Sequence, residues 1–185
     1  IPGSRANDFD LITDIQQIAA LAKERHAENW RFRSYLKAWL DWPDARLDAF
    51  VREVYEGVAR EIDCLSCAHC CRVMRIELDP EDIERLAHRL EISPEEFVAR
   101  YTELGEEQER RLASVPCPFL DGNRCSVYED RPRDCLEFPH LDKDGFRLRC
   151  PGAIENAAYC PLVFNTLERL KARLPYHRRR RKRYG

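Results

Sequence analysis

Four cysteines fall within eight positions, Cys64-Leu-Ser-Cys67-Ala-His-Cys70-Cys71, and five more follow at Cys117, Cys125, Cys135, Cys150 and Cys160. A thiolate is both a charge and a soft metal ligand. C-x2-C spacing lets two sulfurs of one tight turn reach a single ion while backbone amides point at them. The chemistry this pattern predicts is metal ligation, with all nine thiols as candidates. An odd count, two adjacent cysteines and no charged-then-apolar leader all weigh against a disulfide framework.

The C-x2-C spacing occurs twice in succession. Cys64, Cys67 and Cys70 therefore form C-x2-C-x2-C, the run that holds three corners of the cluster in bacterial ferredoxins, with a fourth ligand elsewhere before a proline. Cys117, Cys150 and Cys160 each precede proline. An iron centre, preferably [4Fe-4S], is expected, with Zn2+ the alternative because zinc sites accept the same turns. Cys71 adjoins Cys70, and neighbouring side chains diverge, so the pair points to two centres: two four-thiolate sites with one spare, or one cluster and a separate structural zinc. His69 either substitutes for a sulfur or stands exposed in a polar turn. A four-thiolate centre carries about -2 and needs donors or cations nearby. Arg72, Arg75, Arg124, Arg131 and Arg133 adjoin the cysteines and either fill that role or are ordinary surface arginines.

With 44% hydrophobic and 35% charged residues, the chain of 185 residues is globular rather than disordered. No apolar run approaches the ~18 residues of a membrane span, so a cytoplasmic protein is expected, and Ile1-Pro2-Gly3-Ser4 reads as an added or processed end. Six of the positive charges lie in the tail Arg178 to Arg183, and taking them from the net charge of -2 leaves -8 on the rest. An acidic body argues against a general nucleic-acid surface. The tail is then a solvated terminus or a weak contact for phosphate or nucleic acid.

The elements around the cysteines follow from periodicity. Leu11, Ile12, Ile15, Ile18, Ala19 and Ala22, then Phe32, Tyr35, Leu36, Trp39 and Leu40, then Leu47 through Ile62, give three helices, the last two parted by Trp42-Pro43. Met74, Ile76 and Leu78 alternate with Arg75 and Glu77 as in a short half-buried strand. Asp79-Pro80 with Asp82, and Ser93-Pro94 with Glu96, mark two helix starts. Leu78 with Ile83 and Ile92 with Phe97 form hydrophobic staples at those starts, and the second helix is expected to run through Leu104. Its Glu95, Glu96 and Glu103 exclude a DNA-reading helix-turn-helix, since phosphate would repel it. From Leu104 to Pro116 the chain reads as irregular. Beyond it, turns and cysteines alternate up to a last helix at Leu162 to Leu170, and ligand bonds are expected to hold the intervening loops.

The combination Cys64-x2-Cys67-x2-Cys70-Cys71-Arg72, Leu78-Asp79-Pro80-Glu81-Asp82-Ile83, Cys117-Pro-Phe-Leu-Asp-Gly, Cys125-Ser-Val-Tyr-Glu and Arg131-Pro-x2-Cys135 resembles the YkgJ-like CxxCxxCC cysteine-cluster family. The resemblance implies a zinc- or iron-chelating domain. It assigns ligation to Cys64, Cys67, Cys70, Cys71, Cys117, Cys125 and Cys135, with Cys150 or Cys160 the eighth ligand. Members usually carry glycine at Ala68 and arginine at Leu136. The flagellin lysine N-methylase is similar in this module and is associated with an iron-sulfur cluster.

The fold expected is α+β, mainly helical, with N-terminal helices packed on a small cysteine-rich metal-binding module of short strands and loops. Its parts are 5–63, a helical extension; 64–160, the cysteine-cluster domain; and 161–185, a C-terminal helix and basic tail. Three functions are open: a metal-cluster protein for electron transfer, redox sensing or metal handling; a protein N-methyltransferase-like enzyme; or a zinc-stabilised adaptor whose N-terminal helices meet a protein partner. No glycine-rich nucleotide loop or C-x3-C-x2-C radical motif names a catalytic residue.

Overall fold

The N-terminal periodicity becomes three helices, α1 (Ile15–Glu24), α2 (His26–Ala38) and α3 (Asp44–Ala59), in the computed structural model, which describes residues 10–176. Asp14 caps α1 by accepting from the Gln17 amide at 2.7 Å. Ile18, Phe32, Leu36, Leu47 and Val51 are buried, as their spacing requires. Trp39 departs from its stripe: at the C-cap of α2 the backbone leaves helical geometry, and the residue is 51% exposed.

Residues Cys64–Phe138 form one compact unit. It opens with two single-turn helices, α4 (Cys64–Cys67) and α5 (Cys70–Val73). Next, Ile76 and Leu78 are buried while Arg75 and Glu77 are exposed. Helices α6 (Pro80–Arg89) and α7 (Pro94–Tyr101) start at Asp79 and Ser93, and Asp79 and Asp82 form a reciprocal capping box. Helix α7 does not reach Leu104. The Thr102 hydroxyl donates to the Val98 carbonyl at 2.8 Å, and the chain turns into β1 (Thr102–Leu104), antiparallel to β2 (Arg110–Leu112). Leu104 is therefore exposed, and the stretch read as irregular contains a hairpin. Its strands, Thr-Glu-Leu and Arg-Arg-Leu, are too short and charged to show an alternating pattern.

The extended segment around Ile76 joins this hairpin: the Leu78 amide donates to the Arg110 carbonyl at 2.8 Å, and the Leu112 amide to that of Ile76 at 2.9 Å. A second two-stranded sheet, β3 (Leu120–Asp121) with β4 (Arg124–Cys125), is followed by a 3-10 turn and α8 (Arg133–Glu137). Leu86, Phe97, Leu112, Phe119 and Val127 make the small core of this unit, and Cys117, Cys125 and Cys135 pack against it.

A helix also forms where Cys150-Pro151-Gly152 reads as a turn. In α9 (Phe146–Asn156), Phe146, Cys150, Ala153 and Ile154 line one buried face, and Pro151 lies within the helix. Asp48 of α3 supplies the start, its carboxylate accepting from the Gly145 and Phe146 amides at 2.8 and 2.9 Å. Gly145 sits at φ +79°, where glycine carries no Cβ penalty. Burial and this cap outweigh the one hydrogen bond that proline removes. Helix α10 (Pro161–Arg173) follows, with Cys160 at its N-cap.

Together α9 and α10 pack with α1–α3 in a second compact unit, made of the chain up to Asp63 and from Pro139 onward. Within it Lys171 of α10, 3% exposed, donates to Asn29 at 2.9 Å and pairs with Glu168 at 2.6 Å, so its buried charge is satisfied. The architecture is α+β and mainly helical, with ten α-helices and two small sheets among the described residues. Among these residues no helix is long and apolar enough to cross a membrane. The expectations for Ile1 to Ser4 and Arg178 to Arg183 lie outside the described residues.

Candidate metal centre

The first four cysteines are set by two turns. Cys64 and Cys67 bound α4, and Cys70 and Cys71 begin α5. Between them Ala68 lies at φ +46°, with its amide donating to the Cys64 carbonyl at 3.3 Å. Left-handed backbone costs an L-residue about 1–2 kcal/mol. That is the physical reason for a glycine at this position, and Ala68 bears the strain instead. Its buried methyl returns about 0.8 kcal/mol, so Ala68→Gly should stabilise the unit by up to about 1 kcal/mol, read as a raised melting temperature. A lowered one would mean that methyl packing outweighs backbone strain.

Three further cysteine segments meet this region. The Cys117 amide donates to the Cys71 carbonyl at 2.8 Å, which lays the Cys117 segment beside α5. Cys125 ends β4 opposite Leu120. Cys135 is the middle residue of α8, whose start is held by Asp82: one carboxylate oxygen accepts from the Arg133 amide at 3.0 Å and from the Arg85 guanidinium. Arg85 also donates to the Asp130 and Arg131 carbonyls at 3.3 and 3.0 Å. Sequence reading finds Asp82 only as the N3 residue of α6. Its second role depends on a partner 51 residues away, and no local signal carries it.

The thiols of Cys71, Cys117, Cys125 and Cys135 are close enough to disturb one another's ionisation. Burial pushes Cys117 up to about 11, with the charges of Cys71 and Cys125 adding to the shift. Cys125 is raised by burial and then by Cys71. Cys135 is raised furthest, by burial first and then by Cys117, Cys71, Asp134 and Cys125. Cys71 moves the other way, to about 6, chiefly through a hydrogen bond with Cys70, whose sulfur is 3.9 Å away, with Arg72 assisting.

As the side chains stand, no group of three or more described His, Cys, Asp or Glu residues could hold an ion. The donor set itself suits iron or zinc: soft thiols on four chain segments, partly desolvated and mutually repulsive as anions, so that a cation in place of their protons relieves the repulsion. All nine cysteines are described, and none is joined by a disulfide.

Cys64 is exposed and Cys67 and Cys70 are half-buried, the Cys70 sulfur lying 3.9 Å from that of Cys71. His69 is lowered by burial and then by Arg72. Cys150 is buried in α9 and pushed up to about 12 by burial, Arg33 opposing; Cys160 is buried at the start of α10, and both belong to the helical unit. Of the flanking arginines, Arg72 reaches the cysteine turn itself, and Arg131 lies over the Tyr128 ring at 3.9 Å while holding Cys125 down. Arg75 pairs with Glu103 at 2.7 Å and Arg133 with Glu137 at 3.2 Å.

A family model, CxxCxxCC, described as a putative zinc- or iron-chelating domain, matches residues 63–160. No curated protein and no solved structure matches the chain.

Proposed function

We infer that this chain, which belongs to the CxxCxxCC family of zinc- or iron-chelating domains, holds its metal through Cys71, Cys117, Cys125 and Cys135, with Cys64, Cys67 and Cys70 as further thiolates. The observation that carries this reading is that four cysteine-bearing segments meet in one compact unit, the Cys117 amide donating to the Cys71 carbonyl at 2.8 Å and Cys117, Cys125 and Cys135 packing against one small core. Cys150 and Cys160 are buried in the helical unit, and in this reading they serve its packing. The finer assignment is iron in an iron-sulfur cluster, supported by the C-x2-C-x2-C run. Such a cluster supplies one-electron transfer or redox sensing when bound. The chain contributes burial around Cys117 and Cys135 and positive charge at Arg72 and Arg131, which offset the thiolates.

Loading the metal-free protein with Zn2+ tests the ligand set by its protons. At pH 8 the raised thiols Cys117, Cys125 and Cys135 are protonated, whereas Cys71, at about 6, is already a thiolate. The first equivalent of Zn2+ should therefore release about three protons, and its apparent affinity should rise about a thousandfold per pH unit. Below about pH 6 Cys71 is protonated too, and the dependence steepens to about four protons. Calorimetric titration in buffers of different ionisation enthalpy counts them. Binding without proton release would contradict the thiolate assignment. Elemental analysis of anaerobically isolated protein decides the metal, and a colourless zinc protein would overturn the iron assignment alone.

A further inference from the structure

One guanidinium joins two of the cysteine-bearing segments. Arg72 Nη1 donates to the Ala68 and Cys67 carbonyls at 3.0 and 3.3 Å, on the turn that carries the first cysteines. Its Nη2 donates to the Gly122 carbonyl and Asn123 Oδ1 at 2.7 and 2.6 Å, on the hairpin turn that leads into Cys125. Asn123 returns the connection, its Nδ2 donating to the Ser66 carbonyl at 2.9 Å. The hairpin can present these acceptors because Gly122 takes φ +59° in its two-residue turn.

We propose that Arg72, assisted by Asn123, is a positioning residue for the metal centre: it sets the separation of the Cys64–Cys71 turn from the Cys125 hairpin, and so controls metal retention without being a ligand. The inference rests on the thiolate reading above. A planar fork is what the geometry requires, since each terminal nitrogen serves a different segment and each bonds two acceptors. A lysine offers one nitrogen and cannot span the same pair. Outer partners that orient ligands typically change metal affinity 10–100-fold when lost.

The test uses the full chain loaded with Zn2+, or with Co2+ as a spectroscopic stand-in, in Arg72→Lys, Asn123→Ala, the double variant and Cys135→Ser. Arg72→Lys keeps the charge, and should release Zn2+ to a chelator about tenfold faster or more and alter the shape of the Co2+ ligand-field bands. Mere destabilisation would reduce the amount of Co2+ bound and leave the band shape unchanged. Asn123→Ala should show a smaller effect in the same direction, and the double variant should be little worse than Arg72→Lys, because both break one connection. Parental release and band shape in Arg72→Lys would overturn the inference, as would altered release with an unchanged band shape. If Cys135→Ser also keeps its metal, the thiolate reading fails as well. If it loses metal while Arg72→Lys behaves as the parent, only the positioning role fails.

Discussion

Cys135→Ser should lose its bound metal and unfold Cys64–Phe138, while the helical unit keeps its secondary structure. Structural metal sites contribute about 10–16 kcal/mol of apparent binding energy, so one thiolate in four is worth about 3 kcal/mol, or a roughly hundredfold loss of affinity. The cysteine unit depends on that energy because its apolar core is small and its strands are two or three residues long. The helical unit has its own interior in Phe32, Leu36, Leu47, Phe146 and Phe164. Metal content by elemental analysis, with hydrogen exchange resolved by segment, reads both effects. Cys150→Ser is the control: it should retain metal and cost packing in α9 instead. Undiminished metal in Cys135→Ser would overturn the thiolate reading.

Asp82→Ala should have the second largest effect. The Asp82 carboxylate is 2% exposed and accepts from Arg85, from the Arg133 amide at 3.0 Å and from the Asp79 amide at 3.3 Å. Alanine leaves those donors without their acceptor, at a cost of about 3 kcal/mol. The loss falls at the start of both α6 and α8, so Cys135 loses its positioning together with the fold of the unit. Urea unfolding should show the drop in stability, and Zn2+ should dissociate faster. Asp82→Asn retains an acceptor for the Arg133 amide and should recover part of both. A stability change under about 0.5 kcal/mol in Asp82→Ala, within the range of ordinary surface substitutions, would show that this network does not hold α8.

The chelating family is legible in the sequence because its chemistry is concentrated in one residue type. The Asp79 and Ser93 helix starts and the alternation around Ile76 are local patterns, and each appears in the structure where spacing put it. Other features depend on partners distant in the chain. Proline and glycine after Cys150 read as a turn, but Asp48, 98 residues before Phe146, supplies the acceptor that starts α9. The β1–β2 hairpin is obscured by charge, since Arg75 and Arg111 both meet Glu103 at surface positions that no periodicity marks. Ala68 is different again: its positive φ explains a glycine there, but this chain's alanine hides the turn. Arg72 is visible only as a charge beside cysteines, and its fork geometry emerges once the Gly122 hairpin is in place.

X-ray absorption at the metal edge of anaerobically isolated protein measures directly whether sulfur surrounds a metal ion in the cysteine unit. The predicted result is a first shell of four sulfurs, at about 2.3 Å if the metal is zinc. A shell dominated by nitrogen or oxygen, or a well-folded cysteine unit that carries no metal, would contradict it.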